Sequence, residues 1–306
     1  MDNFDLLIIG GGAAAMSASI YASRYELTNA IVSNIYGGTT SEAHLISNYP
    51  GFKAITGTDL MTKMTEQVQA LGAQIIFDEV ATVSGQSGNF SAQTKSGKTL
   101  TAKALLFCSG TGHKHLGLPA EERLSGKGVS YCSTCDGAFY KNKVVAIVGG
   151  GNSAVGSALY LSDLAQQVYL IARGPALKGE PTWLKELQTK TNVEIILNTN
   201  VVNLDGAEKL EKIMLDKPYQ EKNSLTVDGL FVEVGLLPRS ELFKTMGGEI
   251  DELGYIKVDP EMQTNVAGVW AAGDVTNASG KFRQIVTATA EGAIAADSIY
   301  RKIKRA

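Results

Sequence analysis

Two of the three cysteines in this chain, Cys132 and Cys135, stand two residues apart, and a carboxylate, Asp136, directly follows the second. Thiols at this spacing can close a small disulfide when the first lies at a helix start, where the helix dipole also favours a thiolate. Such a pair stores and releases two electrons. Exchange with another disulfide needs a thiolate attacker and a protonated leaving sulfur, and an adjacent carboxyl such as Asp136 can move that proton. The plainer reading of Asp136-Gly137 is turn chemistry. The plainer reading of the thiols is half of a zinc site, but structural zinc takes four ligands and no second C-x-x-C exists. His113 and His115 form an H-x-H in a segment that reads as exposed loop, so no metal site is expected. Cys108 lies in the apolar run of residues 105–108 and reads as buried core.

A dithiol needs an electron source, and the elements around it suggest one. Residues 6–23 and 145–162 resemble each other, each running from an apolar strand through three glycines into a helix. A β-branched run follows each, at residues 30–33 and 168–171. The repeat is a βαβ unit occurring twice, which argues for two nucleotide-binding domains. The turns read Gly10-x-Gly12-x-x-Ala15 and Gly149-x-Gly151-x-x-Ala154. In this pattern the first glycine permits the tight turn, the second admits a pyrophosphate to the helix N-terminus, and the small third residue lets helix and strand pack closely. A nicotinamide delivers a hydride, whereas a disulfide accepts an electron pair but is a poor hydride acceptor; a flavin can join the two. Two nucleotide sites and one C-x-x-C therefore suggest FAD, NAD(P)H and dithiol in series.

The bulk composition fits this. At 306 residues the chain has room for about two domains. A net charge of −3 leaves no basic footprint for nucleic acid or an anionic membrane. No apolar run reaches transmembrane length, and the acidic start, Met1-Asp-Asn-Phe-Asp5, does not read as a signal peptide. The expected location is cytoplasmic. Further strands are expected at residues 74–77, 90–95, 104–109, 193–198, 254–259 and 268–275, and a last helix at 286–303.

The chain resembles the low-molecular-weight thioredoxin reductases over essentially its whole length. The resemblance rests on both glycine turns, Tyr36-Gly-Gly38 with Asn48-Tyr-Pro-Gly51, residues 116–140 around the thiols, residues 229–238, residues 268–275 with their Ala-Gly-Asp, and Arg283-Gln-Ile285. It implies an α/β fold of two Rossmann-like three-layer nucleotide-binding domains, the second inserted into the first. The implied FAD domain is built from residues 1–114 and 241–306, and the NAD(P)-type domain spans 115–240. Gly10, Gly12 and Ala15 are then expected to hold the FAD pyrophosphate. Gly38, Thr39 and Asn48 line the flavin side, Val80 lies by the adenine, and Asp274 takes the ribityl or phosphate portion. Arg283, Gln284 and Ile285 approach the isoalloxazine. The resemblance makes Cys135 the thiol facing the flavin, Cys132 the attacker of the protein substrate, and Asp136 the acid–base group. It also implies thioredoxin or a thioredoxin-like protein as partner, and a homodimer. The thiols must meet both the flavin and a bulky partner, so hinge motion of the inserted domain is expected.

Two departures bear on the electron donor. Ser33 stands where a generic fingerprint has an acid, which weakens an NAD reading of the first site and is tolerable for FAD. After residue 171, Arg173 and Lys178 remain of the cationic cluster that NADPH users carry, while Ala172 and Gly174 replace two of its members. Gly149, Gly151, Ala154, Arg173 and Lys178 are thus expected to bind NADPH with reduced discrimination, with NADH or ferredoxin as the alternative donor. Gly156, inside a helix, is expected to mark either a close approach or drift.

Overall fold

The computed structural model describes residues 2–280 and 282–304. It divides into two compact units, Met1–Gly112 with Leu237–Ala306, and His113–Leu236. Chain order in the first unit is β1 (Asp2–Ile9), α1 (Ala13–Arg24), β2 (Asn29–Ser33), α2 (Gly57–Ala70), β3 (Gln74–Phe77), β4 (Val80–Gln86), β5 (Asn89–Thr94) and β6 (Thr99–Phe107). The crossing strand β7 (Thr111–His113) leads into the second unit. There follow α3 (Glu121–Leu124), β8 (Val129–Ser130), α4 (Ser133–Asp136), β9 (Val144–Val148), α5 (Asn152–Ser162), β10 (Gln167–Ile171), α6 (Pro181–Leu187), β11 (Val193–Ile196), β12 (Val201–Asp205), β13 (Lys212–Tyr219), β14 (Lys222–Thr226) and β15 (Gly229–Val232). The return strand is β16 (Leu236–Pro238), and the first unit closes with α7 (Glu241–Thr245), β17 (Val269–Ala271) and α8 (Ile285–Lys304).

The first unit is built on a sheet of order β3-β2-β1-β6-β5-β4, with β17 beside β6. Its centre is parallel, with Ile8 opposite both Ile31 and Leu106. Parallel strands covered on both faces need continuous apolar runs, and β1 supplies one. Leu6 and Ile8 enter one core cluster with Met16, Trp270 and Ile299, while Leu7 and Ile9 enter the other with Phe90, Phe107 and Phe243. Apart from Met16, the buried residues of helix α1 are all Ala or Ser, so α8 can lie close against it. Ser17 Oγ donates to the Thr289 carbonyl at 2.7 Å between these helices.

The second unit repeats the plan in the order β11-β10-β9-β15-β8, all pairs parallel. Val145 and Ile147 face one core cluster, Ala146 and Val148 the other. An antiparallel sheet β12-β13-β14 is added to it in sequence. The crossing strands β7 and β16 pair as a two-stranded sheet, and the unit division falls inside them, at 112/113 and 236/237. The sequence reading put those divisions at 114/115 and 240/241.

Three expectations are corrected. The strand expected at 268–275 is the three-residue β17, Val269–Ala271, after which Glu291 takes the Gly273 N–H and the chain turns into a loop. The strand expected at 254–259 is an irregular link with isolated bridges from Ile256 to Ile250 and Thr276, because Asp251 accepts from Leu253 and Tyr255 in a turn and Asn277 takes the Val258 N–H. The strand expected through Ser109 stops at Phe107, where the Cys108 N–H donates to the Ile9 carbonyl. Among the described residues, no helix is long and apolar enough to cross a membrane.

Candidate dithiol and cofactor sites

Cys132 and Cys135 form a disulfide, with Cα atoms 5.3 Å apart. Strand β8 delivers the chain to Cys132, which is the N-cap of the short helix α4; its Sγ accepts the Cys135 N–H at 3.2 Å. Ser130 Oγ accepts the Cys132 N–H at 3.1 Å, fixing the approach. Cys135 is exposed, while Cys132 and Asp136 are half-buried. Asp136 bears on Tyr140, whose hydroxyl is pushed up by burial first and by the Asp136 and Asp228 carboxylates next.

Residue 131, just before the thiols, is anchored in a way sequence reasoning missed. The Tyr131 hydroxyl donates to the buried Glu121 carboxylate at 2.8 Å and lies 2.7 Å from His115 Nδ1. Glu121 also accepts the N–H groups of Leu116, Gly117 and Leu118. Burial opposes the charge on Glu121, but these donors hold its carboxyl below the usual range. His115, read from sequence as loop, therefore belongs to the support of the dithiol strand.

The second glycine turn sits in the same unit. Gly149 has φ +153°, and a Cβ there would lie 2.2 Å from the Glu233 carbonyl oxygen, so no side chain is tolerated. Gly151 is the N-cap of α5 without a side-chain cap, leaving first-turn N–H groups for a ligand. Ala154 is fully buried beneath the turn. The segment after β10 folds back on it, the Lys178 N–H donating to the Gly150 carbonyl at 2.6 Å. Arg173 and Lys178 are exposed, and Ala172 is buried. Gly156 marks a close approach: a Cβ there would come within 3.3 Å of the Trp183 ring. Because β8, β9, β10 and β15 are parallel, the thiols, Gly149, Arg173 and Glu233 all lie at the C-terminal edge of one sheet.

The first unit gathers the other set. A Cβ at Gly10, φ +114°, would lie 2.2 Å from the Cys108 carbonyl oxygen, and Gly38, φ +56°, packs against the Gly12 Cα. Gly12 is the N-cap of α1, again without a side-chain cap, and Ala15 is fully buried. Thr39 is half-buried in the 3-10 turn Gly38–Glu42. Val80 is buried at the start of β4, beside Glu79, whose carboxylate accepts from Asn34 just beyond β2 at 2.7 Å. Ser33 bonds locally to both the N–H and the carbonyl of Ile35. Asn48 Nδ2 donates to Gln284 Oε1 at 3.1 Å, and Ile285 opens α8.

Asp274 is pushed up to about 6 by burial, against the pull of Arg283 and with a further push from Glu291. The Arg283 guanidinium lies 3.7 Å from the Tyr255 ring centroid, and its Nε is buried without a hydrogen-bond partner. Buried Glu291 orders the Ala-Gly-Asp loop by accepting the Gly273 N–H at 2.7 Å, Thr276 Oγ1 at 2.9 Å and the Ser279 hydroxyl. The sequence reading missed this residue; its signal is a lone charge among the small and apolar residues 285–296. An uncapped helix start, a side-chain-free cradle, an orphaned guanidinium N–H and a buried carboxylate fit a dinucleotide with a pyrophosphate and a polyol. Among the described residues, no cluster of three or more His, Cys, Asp and Glu could hold a metal.

The pyridine nucleotide-disulphide oxidoreductase family profile matches residues 4–292. The chain is 37% identical to the thioredoxin reductase of Listeria innocua over 304 residues, covering 98% of this chain and 94% of that one. The solved thioredoxin reductase of Lactococcus lactis matches with a TM-score of 0.93 at 31% identity, covering 99% of this chain and 100% of that one. That of T. acidophilum matches with a TM-score of 0.92 at 37% identity, covering 99% of each. With this fold, its two glycine turns and its C-x-x-C disulfide, the chain belongs to the pyridine nucleotide-disulphide oxidoreductases, as an FAD-dependent oxidoreductase of the low-molecular-weight thioredoxin reductase type.

Proposed function

We propose that this enzyme takes electrons from NADPH and passes them through the Cys132–Cys135 couple to thioredoxin or a thioredoxin-like protein. The observation that carries the reading is the disulfide standing at the same sheet edge as a complete dinucleotide turn. FAD, when bound, supplies the exchange between a two-electron hydride and an electron pair on sulfur. Gly10, Gly12 and Ala15 hold its pyrophosphate, with Gly38, Thr39, Asn48, Val80, Asp274, Arg283, Gln284 and Ile285 around the rest. In the dithiol state, Cys132 as thiolate attacks the partner disulfide, and the partner's leaving sulfur takes a proton. Cys135 then displaces the reduced partner, which leaves as a dithiol, and the enzyme disulfide re-forms. Asp136 carries the proton between these steps. Exposure alone would name Cys135 as the sulfur open to a partner, whereas the family order turns Cys135 to the flavin; serine variants decide between them.

Gly149, Gly151 and Ala154 receive the NADPH pyrophosphate, and Arg173 and Lys178 its 2′-phosphate. No acid stands after β10 to select the ribose hydroxyls of NADH. A second reading, with NADH or reduced ferredoxin as donor, is favoured by one observation: only two exposed cations remain there, with Ala172 buried and Gly174 bare. We further read the enzyme as a cytoplasmic homodimer without nucleic-acid or membrane partners. The test is flavin reduction followed side by side with NADPH, NADH and reduced ferredoxin, then turnover with oxidised thioredoxin. Reduction by NADPH with thioredoxin turnover is expected. Reduction by ferredoxin alone overturns the donor, and failure to turn over any thioredoxin-like disulfide overturns the acceptor.

A further inference from the structure

A hydrogen-bond chain runs from inside the C-x-x-C loop to the end of β15. Ser133, the first residue between the two cysteines, is buried, and its Oγ lies 2.8 Å from the Oγ of buried Ser157 on α5. Ser157 Oγ lies 2.8 Å from Glu233 Oε1. The direction of the chain follows from its acidic end. Ser157 Oγ donates its single proton to the Glu233 carboxyl oxygen, so it accepts from Ser133. The Ser133 hydroxyl is thus committed away from the sulfurs. The backbone of Glu233 stands against Gly149 of the glycine turn, so the chain begins between the thiols and ends beside the dinucleotide turn.

We propose that Ser133, Ser157 and Glu233 are positioning residues that poise the Cys132–Cys135 couple toward the disulfide. The proposal rests on the dithiol being the redox centre and is independent of the electron donor. The chain pins the residue between the cysteines to α5, which pre-organises the loop in the shape the disulfide requires. Reduction separates the sulfurs and relaxes this loop, so the tether favours the oxidised form. The half-reaction is unchanged: the disulfide takes two electrons and two protons from a dithiol reductant, which leaves as its own disulfide. Only the equilibrium constant moves.

The experiment equilibrates the FAD-loaded enzyme with graded mixtures of reduced and oxidised dithiothreitol, then traps and counts free thiols with a maleimide of high mass. Ser157→Ala and Ser133→Ala should each shift the midpoint toward the dithiol by about three- to tenfold, the worth of one buried hydrogen bond. The double variant should shift no further than the single ones, because both remove the same link. Ser157→Thr, which keeps a hydroxyl, should restore the midpoint, and Glu233→Gln, which keeps a weaker neutral acceptor, should fall between. Midpoints unchanged in both alanine variants, shifts that add in the double variant, or no rescue by threonine would each overturn the proposal. Removing the two serines separately leaves a decisive variant if one of them fails to fold. If Cys132 and Cys135 of the unsubstituted enzyme do not cycle reversibly, the reductase reading fails first, and the poising proposal fails with it.

Discussion

Asn48 donates to Gln284 across 3.1 Å, joining positions 236 residues apart in the chain. The bond ties the loop that follows the first unit's 3-10 turn to the approach of α8, which returns only after the whole second unit has been traversed. The insertion therefore interrupts one fold without dividing it. Gln284→Ala should raise the dissociation constant for FAD by about three- to tenfold, the usual worth of a polar contact, and leave apoprotein melting nearly unchanged because the pair is exposed. Fluorescence titration of the apoprotein with FAD measures this, and unaltered affinity would remove Gln284 from the flavin side.

The cysteine roles are testable by colour. If Cys135 is the flavin-facing thiol, as proposed, Cys132→Ser should keep a long-wavelength charge-transfer band while thioredoxin turnover disappears. Cys135→Ser should lose the band. The reverse pattern would exchange the two roles and agree with the greater exposure of Cys135 in the structure.

The framework of this molecule was legible in its sequence because it is written in local signals. Apolar runs of the kind in β1 and β9 suit a doubly covered parallel sheet, and Gly10 and Gly149 occupy positive-φ turns that exclude side chains. The antiparallel β12–β14 sheet was not read, because the polar run Asp216-Lys-Pro-Tyr-Gln-Glu-Lys-Asn223 interrupts its alternation. The supports of the site were illegible for a different reason. Glu121 with Tyr131, Glu291 with the Gly273 loop, and Ser133 with Ser157 and Glu233 are polar contacts made by tertiary packing, and no spacing rule connects their members. Gly156 gave a signal without a meaning until Trp183 appeared beside it.

Asp274 makes the apoprotein sensitive to pH. Its folded carboxyl keeps a proton up to about pH 6, against 3.8 for the ordinary group. Between these values the folded chain binds more protons than the unfolded one, so stability falls as pH rises through that window. Burial is the main cause, the Glu291 charge adds to it, and Arg283 opposes it. Asp274→Asn should abolish this part of the slope, leaving the apoprotein stabilised above pH 6 by at most about 3 kcal/mol and unchanged near pH 4. The same variant should bind FAD more weakly, since it loses the carboxylate acceptor. Urea unfolding of both apoproteins across this range gives the comparison, and parallel stability curves would show that Asp274 titrates as an ordinary exposed acid.

The electron donor can be decided at Gly174. A Cβ there meets nothing nearer than the Ala176 carbonyl oxygen at 3.7 Å, and the backbone is not left-handed, so an arginine is accommodated without strain. It would stand beside exposed Arg173, adding a planar fork able to grip a phosphate where Lys178 offers only a point charge. A charge-assisted contact to phosphate contributes about 1.5–3 kcal/mol. If the segment after β10 receives the 2′-phosphate, Gly174→Arg should lower the Michaelis constant for NADPH by roughly ten- to a hundredfold. The constant for NADH, which lacks that phosphate, should hardly move. Thioredoxin turnover at saturating NADPH should also stay the same, because the substitution touches neither the thiols nor the glycine turn. Equal changes for both nucleotides would place the effect elsewhere than the 2′-phosphate. If neither nucleotide reduces the flavin at millimolar concentration in either protein, while reduced ferredoxin does, the glycine turn serves only to pack helix against strand, and the electrons enter by another route.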